Sequence, residues 1–224
     1  MDWTAISLSI KLALVTLLVL MPPAICIARW LALTDFRGKH WIEGILALPL
    51  VLPPTVIGYY LLVSMGGNSI LGGWFERLTG HTLAFSFTGL VVASVLFNIP
   101  FAVQPAQRAF ESISTEIHEA AKCCGLTFWQ AFFRIELPLA WPGVLSAMVM
   151  TFAHTLGEFG VVLMVGGSIP GETKTVAITI YDSVQSFDLA SAGLMSLLLL
   201  GISLVTIAIS YGMVERLMRQ RRSA

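Results

Sequence analysis

Charge is what this chain has least of. Only 12% of its 224 residues are Asp, Glu, Lys or Arg, and 56% are hydrophobic, whereas a soluble domain carries about 25% charged residues. So few charges cannot cover a surface in water. An ordinary soluble domain is therefore excluded, and much of the surface must face lipid. Cysteine is scarce too: Cys26, Cys123 and Cys124 form no even framework, which excludes a disulfide-stapled scaffold. Adjacent Cys123 and Cys124 lack the second CxxC or His cluster of a metal or redox pair and are expected as reduced thiols. No GxxxxGK[ST] phosphate loop occurs, and no polar segment is long enough to hold a nucleotide domain. The segment HTLGE (154–158) is not the HExxH of a zinc site. No nucleophile, base and orienting group converge on one face, so an enzyme is not expected. Neither is a cofactor, a metal ion or a nucleic-acid partner.

Long apolar runs take the place of what is missing. A span needs about 20 apolar residues, and five runs qualify: 6–33, 42–65, 83–103, 141–165 and 190–214. The first is too long and too proline-interrupted for a cleaved signal peptide and has no small-x-small cleavage site, so it is expected to be a retained span. Residues 177–184 are apolar on one face, but Asp182, Gln185 and Asp188 make them a poor sixth span. A short helix at the outer surface is expected there. The expected fold is one all-α transmembrane domain over 1–224, multi-pass and in contact with lipid.

Five spans place the termini on opposite sides, and basic residues choose the sides. With the C-terminus inside, ten of the 13 Lys and Arg are cytosolic: Arg29, Arg37, Lys39, Arg108, Lys122, Arg134, Arg216, Arg219, Arg221 and Arg222. Only Lys11, Arg77 and Lys174 fall outside. The expected orientation is N-terminus out, C-terminus in.

One polar, helix-forming stretch interrupts the apolar pattern, EAAKCCGLTFWQAFFRIELP at 119–138, within a cytosolic loop of about 112–138. Ser114 is placed to cap a helix that carries Glu116 and Glu119 in its early turns. Gly125 suits the residue just past its end. Thr127 and Gln130 have capping-box spacing for a second helix, expected to stop at Pro138. Ala120 and Ala121 form a small ridge beside exposed aromatics. Physics alone leaves two readings open: an amphipathic loop resting on the membrane, or a handle that another protein grips.

Glu119, Ala120, Ala121, Gly125, Ile135, Leu137 and Pro138 fit EAA, three residues, G, nine residues, I, any residue, LP. The segment resembles the EAA loop of type I ABC-transporter permeases. That resemblance implies a permease subunit whose loop is a coupling helix docked in a groove of a separate ATP-binding subunit. It further implies a homodimer, two ATP-binding subunits, an extracytoplasmic oxyanion-binding protein and the inner (plasma) membrane of a prokaryote. LPLVLPPTVIGYYLL (48–62), TLGEFG (155–160) and SIPGETKTVAITIYDSVQ (168–185) are similar to the molybdate branch of these permeases, with Ser168 where Asn is expected. Molybdate or tungstate is then the implied cargo. Sulfate permeases share much of this pattern, so sulfate or thiosulfate is the alternative within the family. A self-sufficient channel or carrier is the alternative outside it.

Two clusters inside the spans are candidates for the pathway or its gate. Pro49, Pro53 and Pro54 free backbone groups within run two, which either lines a cavity or kinks a packed helix. Thr151, His154 and Glu158 share a face of run four. An intramembrane carboxylate is a functional candidate, but it repels a dianion. Glu158 is therefore expected to cap or brace backbone at an outer gate, alone or with His154, or to sit protonated.

Overall fold

The computed structural model describes residues 2–222, with side chains through residue 209. Helices and short connections account for the described residues, without a strand. α1 (Trp3–Leu33) is capped by Asp2, whose carboxylate accepts from the Ala5 N–H at 3.0 Å. α5 (Phe87–Glu111) is capped by Ser86. Together with α8 (Leu137–Gly157) they make the core, where Leu20, Ala24, Ala28 and Leu31 of α1 meet Val103, Ala106 and Phe110 of α5 and Ala140, Val144 and Ala147 of α8. Small residues let these helices approach closely. A Cβ added at Gly143 would lie 2.3 Å from that of Ala109.

Among the described residues, four helical stretches are long and apolar enough to cross a membrane: Trp3–Leu33, Phe87–Glu111, Phe128–Gly157 and Leu189–Ile209. The remaining expected span, at 42–65, is broken. α2 (Lys39–Val51) and α3 (Pro54–Met65) meet at 105°. Each residue before a proline is pushed out of the helical region. Leu52 and Pro53 both precede one, and both are extended, with ψ 139° and 136°. Pro54 then opens α3, where its missing N–H removes no helical bond. The span expected at 141–165 also needs correction. α8 ends at Gly157, Glu158 is extended, and α9 (Gly160–Gly166) is a separate helix.

The end of the bundle where α1 begins carries α4 (Ile70–Thr79) and α10 (Val176–Gln185). α10 is the short helix expected at 177–184, tied to α1 by the Val176 N–H donating to Ser9 Oγ at 2.9 Å. Ser168 donates to Asp182 Oδ2 at 3.0 Å, and Lys174 pairs with the same oxygen at 2.8 Å. α11 (Leu189–Arg222) closes the chain. The side chains of Arg216, Arg219, Arg221 and Arg222, which contributed to the expected orientation, lie outside the described residues. At the opposite end, contacts gather Arg29, Glu43, Gln107, Arg108, Glu111, His118 and Glu136.

Candidate functional site

The loop at 112–138 folds as helix, glycine turn, helix. α6 (Thr115–Cys123) starts after Ser114. The Ser114 hydroxyl, however, donates to Glu116 and holds that carboxyl below its usual range, and it accepts no bond from the helix backbone. The end of α6 is a Schellman motif. Gly125, at φ +69°, donates to Lys122 O at 2.9 Å, and Leu126 donates to Ala121 O at 3.2 Å. Thr127 and Gln130 form the expected capping box, and α7 (Phe128–Ala131) follows.

The second helix does not stop at Pro138. A π-turn over Phe132–Glu136 joins α7 to α8, so Phe128–Gly157 forms one rod that carries the loop into the membrane. Leu137 donates to Phe132 O, five residues back. The extra residue of such a turn absorbs the N–H that proline lacks and the space its ring demands. The alanine ridge is also divided, because neighbouring helical residues point about 100° apart. Ala120 is exposed beside Glu119, whereas Ala121 is buried against the body. Phe128, Trp129 and Phe133 are exposed, and Phe132 is buried.

Beneath α6 lies a feature that the sequence reading missed. Glu136, 4% exposed, occupies the unspecified position between Ile135 and Leu137. Its carboxylate accepts from Arg29 of α1 through Nε and through Nη2, the latter at 3.0 Å, and His118 Nδ1 of α6 lies 3.3 Å from Oε1. The Arg29 guanidinium lies 4.2 Å from the Phe128 ring centre. Bidentate geometry and an aromatic face suit Arg and no other cation. An acid directly before LP was the available signal. The cluster borders an open cavity of about 720 Å³, also lined by Asp35, Glu111 and Lys122.

In the spans, the second site assembles at the two breaks. Glu158 accepts from the Val161 N–H at 2.9 Å and so caps α9, as expected of a bracing carboxylate. His154 Nε2 is 3.9 Å from Glu158 Oε2. His154 Nδ1 lies 3.1 Å from Asn98 Oδ1, whose amide donates to Ser94 O at 2.8 Å, and Phe101 stacks on the imidazole at 4.0 Å. Asn98 was visible in the sequence but had no assigned partner. Thr151 is buried, and its hydroxyl has no partner among the described residues. The proline break belongs to the same place: a Cβ at Gly160 would sit 2.8 Å from Pro54 Cβ, and one at Gly58 would sit 2.7 Å from Met164 Cβ. Pro53 and Pro54 are exposed and Pro49 half-buried. Thus Pro54, Glu158 and Gly160 converge, while Pro49 lies on α2 before the bend.

Comparison with known proteins agrees with this geometry. Residues 24–223 match the family described as binding-protein-dependent transport system inner membrane component. The chain is 49% identical over 191 residues to a molybdenum transport system permease protein of Azotobacter vinelandii, covering 85% of this chain and 84% of that one. It is 32% identical over 192 residues to a sulfate transport system permease protein of Synechococcus elongatus, covering 86% and 67%. A crystal structure of a bacterial ABC transporter for the acidic polysaccharide alginate matches with TM-score 0.77 at 18% identity, covering 95% of this chain and 78% of that one.

Proposed function

This chain belongs to the binding-protein-dependent transport system inner membrane components, and from that premise we propose that it is the permease subunit of an ATP-driven molybdate importer. The observation that carries the cargo is the 49% identity to a molybdenum permease over most of both chains, against 32% to a sulfate permease. The chain itself does no chemistry. Its work is to change which side of the membrane a path opens to.

The path lies between two copies of the chain. Among the described residues, Trp41, Ile45, Val51, Tyr59 and Tyr60 leave large apolar surface exposed along the broken span. That supports a homodimer in which the proline breaks face the cargo route. Each copy offers Glu119, Ala120 and the Gly125 turn to one of two ATP-binding subunits, while Ala121 seats the helix and Ile135, Leu137 and Pro138 tie it to α8. An extracytoplasmic binding protein delivers the oxyanion to the outer loops at 66–82 and 166–189. ATP binding draws the two α6 helices together and rocks the spans outward-open; hydrolysis resets them. The capped break at Glu158, packed on Pro54, is the gate. Weak backbone contacts there suit an ion that must also leave.

Proteoliposomes holding this chain, its ATPase and its binding protein are expected to accumulate radiolabelled molybdate (and its analogue tungstate) only with internal ATP. Competition by sulfate at equal concentration would move the cargo to sulfate. Uptake by the chain without an ATPase would overturn the reading in favour of a channel or carrier.

A further inference from the structure

We propose that Glu136, gripped by Arg29 and His118, is the positioning residue through which movement of α6 reaches the spans, an inference that rests on the ATP-driven reading above. A handle transmits displacement only if it is stiffly joined to what it moves. α6 buries one of its own residues, Ala121. Its covalent tethers are the short connections at 112–114 and 124–127, the second containing the Gly125 turn. Neither apolar packing nor those connections make a rigid joint.

The carboxylate supplies one. It stands in the π-turn at the foot of α8, takes both bonds of the Arg29 fork from α1, and meets His118 of α6. Three elements therefore share one buried charge. Side-chain exposures of 15% for Arg29, 5% for Glu136 and 16% for His118 leave the cluster largely buried at the edge of the open cavity. Phe128 fixes the guanidinium plane from the other side. His118 Nδ1 lies 3.3 Å from Glu136 Oε1, and His118 Nε2 is buried without a partner among the described residues. The ring's one polar attachment is thus the Glu136 carboxylate. A push on the exposed Glu119 side of α6 reaches α1 and α8 through that contact.

The test uses the full chain reconstituted with its ATPase and binding protein, reading ATPase co-purification, hydrolysis rate and molybdate taken up per ATP. His118→Ala is expected to keep the wild-type complement of ATPase and its hydrolysis, since Ala favours the helix, while uptake per ATP falls at least tenfold. His118→Lys, with the adjoining cavity to accommodate it, offers Glu136 a donor from the same position on α6 and returns the ratio to within twofold of wild type. Arg29→Met/Glu136→Leu fills the site without charge and is expected to fold and to uncouple like His118→Ala. Uptake per ATP within twofold of wild type in His118→Ala or in the double variant overturns the proposal. So does loss of the ATPase from His118→Ala, which would make His118 a docking contact. A wild-type complex that couples hydrolysis to sulfate in place of molybdate refutes the cargo alone, and the same ratio measured with sulfate still decides the joint. A wild-type chain that binds no ATPase removes the premise and the proposal with it.

Discussion

Two glycines three residues apart, Gly157 and Gly160, respond oppositely to the same added methyl group if the two helix breaks are packed as described. In Gly160→Ala the new Cβ would lie 2.8 Å from Pro54 Cβ, where carbon atoms prefer about 3.5–4.0 Å. The shortfall is at least about 0.7 Å. The proline ring cannot rotate aside, because it is closed on its own backbone. The two helices are already in close contact at Gly58, where even a Cβ would lie 2.7 Å from Met164 Cβ and 3.4 Å from Val161 Cα. The helices must separate, and overpacking of this kind costs about 1–3 kcal/mol. For a chain of this length that corresponds to a melting midpoint lower by roughly 2–12 °C. In Gly157→Ala the added atom meets nothing within 4 Å. The substitution is expected to be neutral or to stabilise the last turn of α8 by up to about 1 kcal/mol. Thermal unfolding of the purified protein in nanodiscs gives both signs, and ATP-driven uptake gives the functional consequence, expected to fall at least fivefold for Gly160→Ala only. A Gly160→Ala protein that melts and transports like wild type would refute the contact between the breaks.

Other substitutions probe the remaining joints. Glu158→Ala removes the acceptor for the Val161 N–H and should lower stability by about 0.5–2 kcal/mol. Glu158→Gln keeps a carbonyl acceptor and should retain most of it; equal melting of the two would mean that capping is not what Glu158 does. Gly125→Pro deletes the N–H given to Lys122 O and demands a φ that proline cannot adopt. It should leave membrane insertion intact while ATP is hydrolysed without uptake, as should Glu119→Lys; normal transport by either would dismiss the loop as the coupling element. Arg29→Ala strands the buried Glu136 carboxylate. Breaking a buried pair costs about 3–5 kcal/mol, and the lower part of that range applies because the Arg29 side chain keeps 15% exposure. Arg29→Met/Glu136→Leu should recover most of the loss in the melting midpoint, and a double variant no more stable than the single one would contradict the desolvation argument.

The reading of the loop succeeded where the determinants were local. Gly125 at a helix end and Thr127 three residues before Gln130 act through backbone groups within a turn, so spacing alone located both caps. Pro138 misled because a proline in a sequence reads as a stop, whereas the π-turn inserted ahead of it lets the rod continue into the membrane. Ser114 precedes α6 as its spacing suggests, but its hydroxyl makes no cap bond and hydrogen-bonds Glu116. The single run assumed at 42–65 averaged hydropathy across the Pro53–Pro54 break, which hides a bend of 105° that adds no polar residue. Ala121 looked equivalent to Ala120 until the body of the protein covered one and left the other bare.

The sequence by itself determined that the chain crosses a membrane and which loop carries the EAA spacing. Hydrophobic run length, caps and motif spacing are all properties of neighbouring residues. Only the tertiary structure decided that Arg29 and His118 share Glu136, and that Pro54 touches Gly160. Those partners lie 107, 18 and 106 positions apart along the chain, and no periodicity reports a contact that exists only once helices from distant segments have packed.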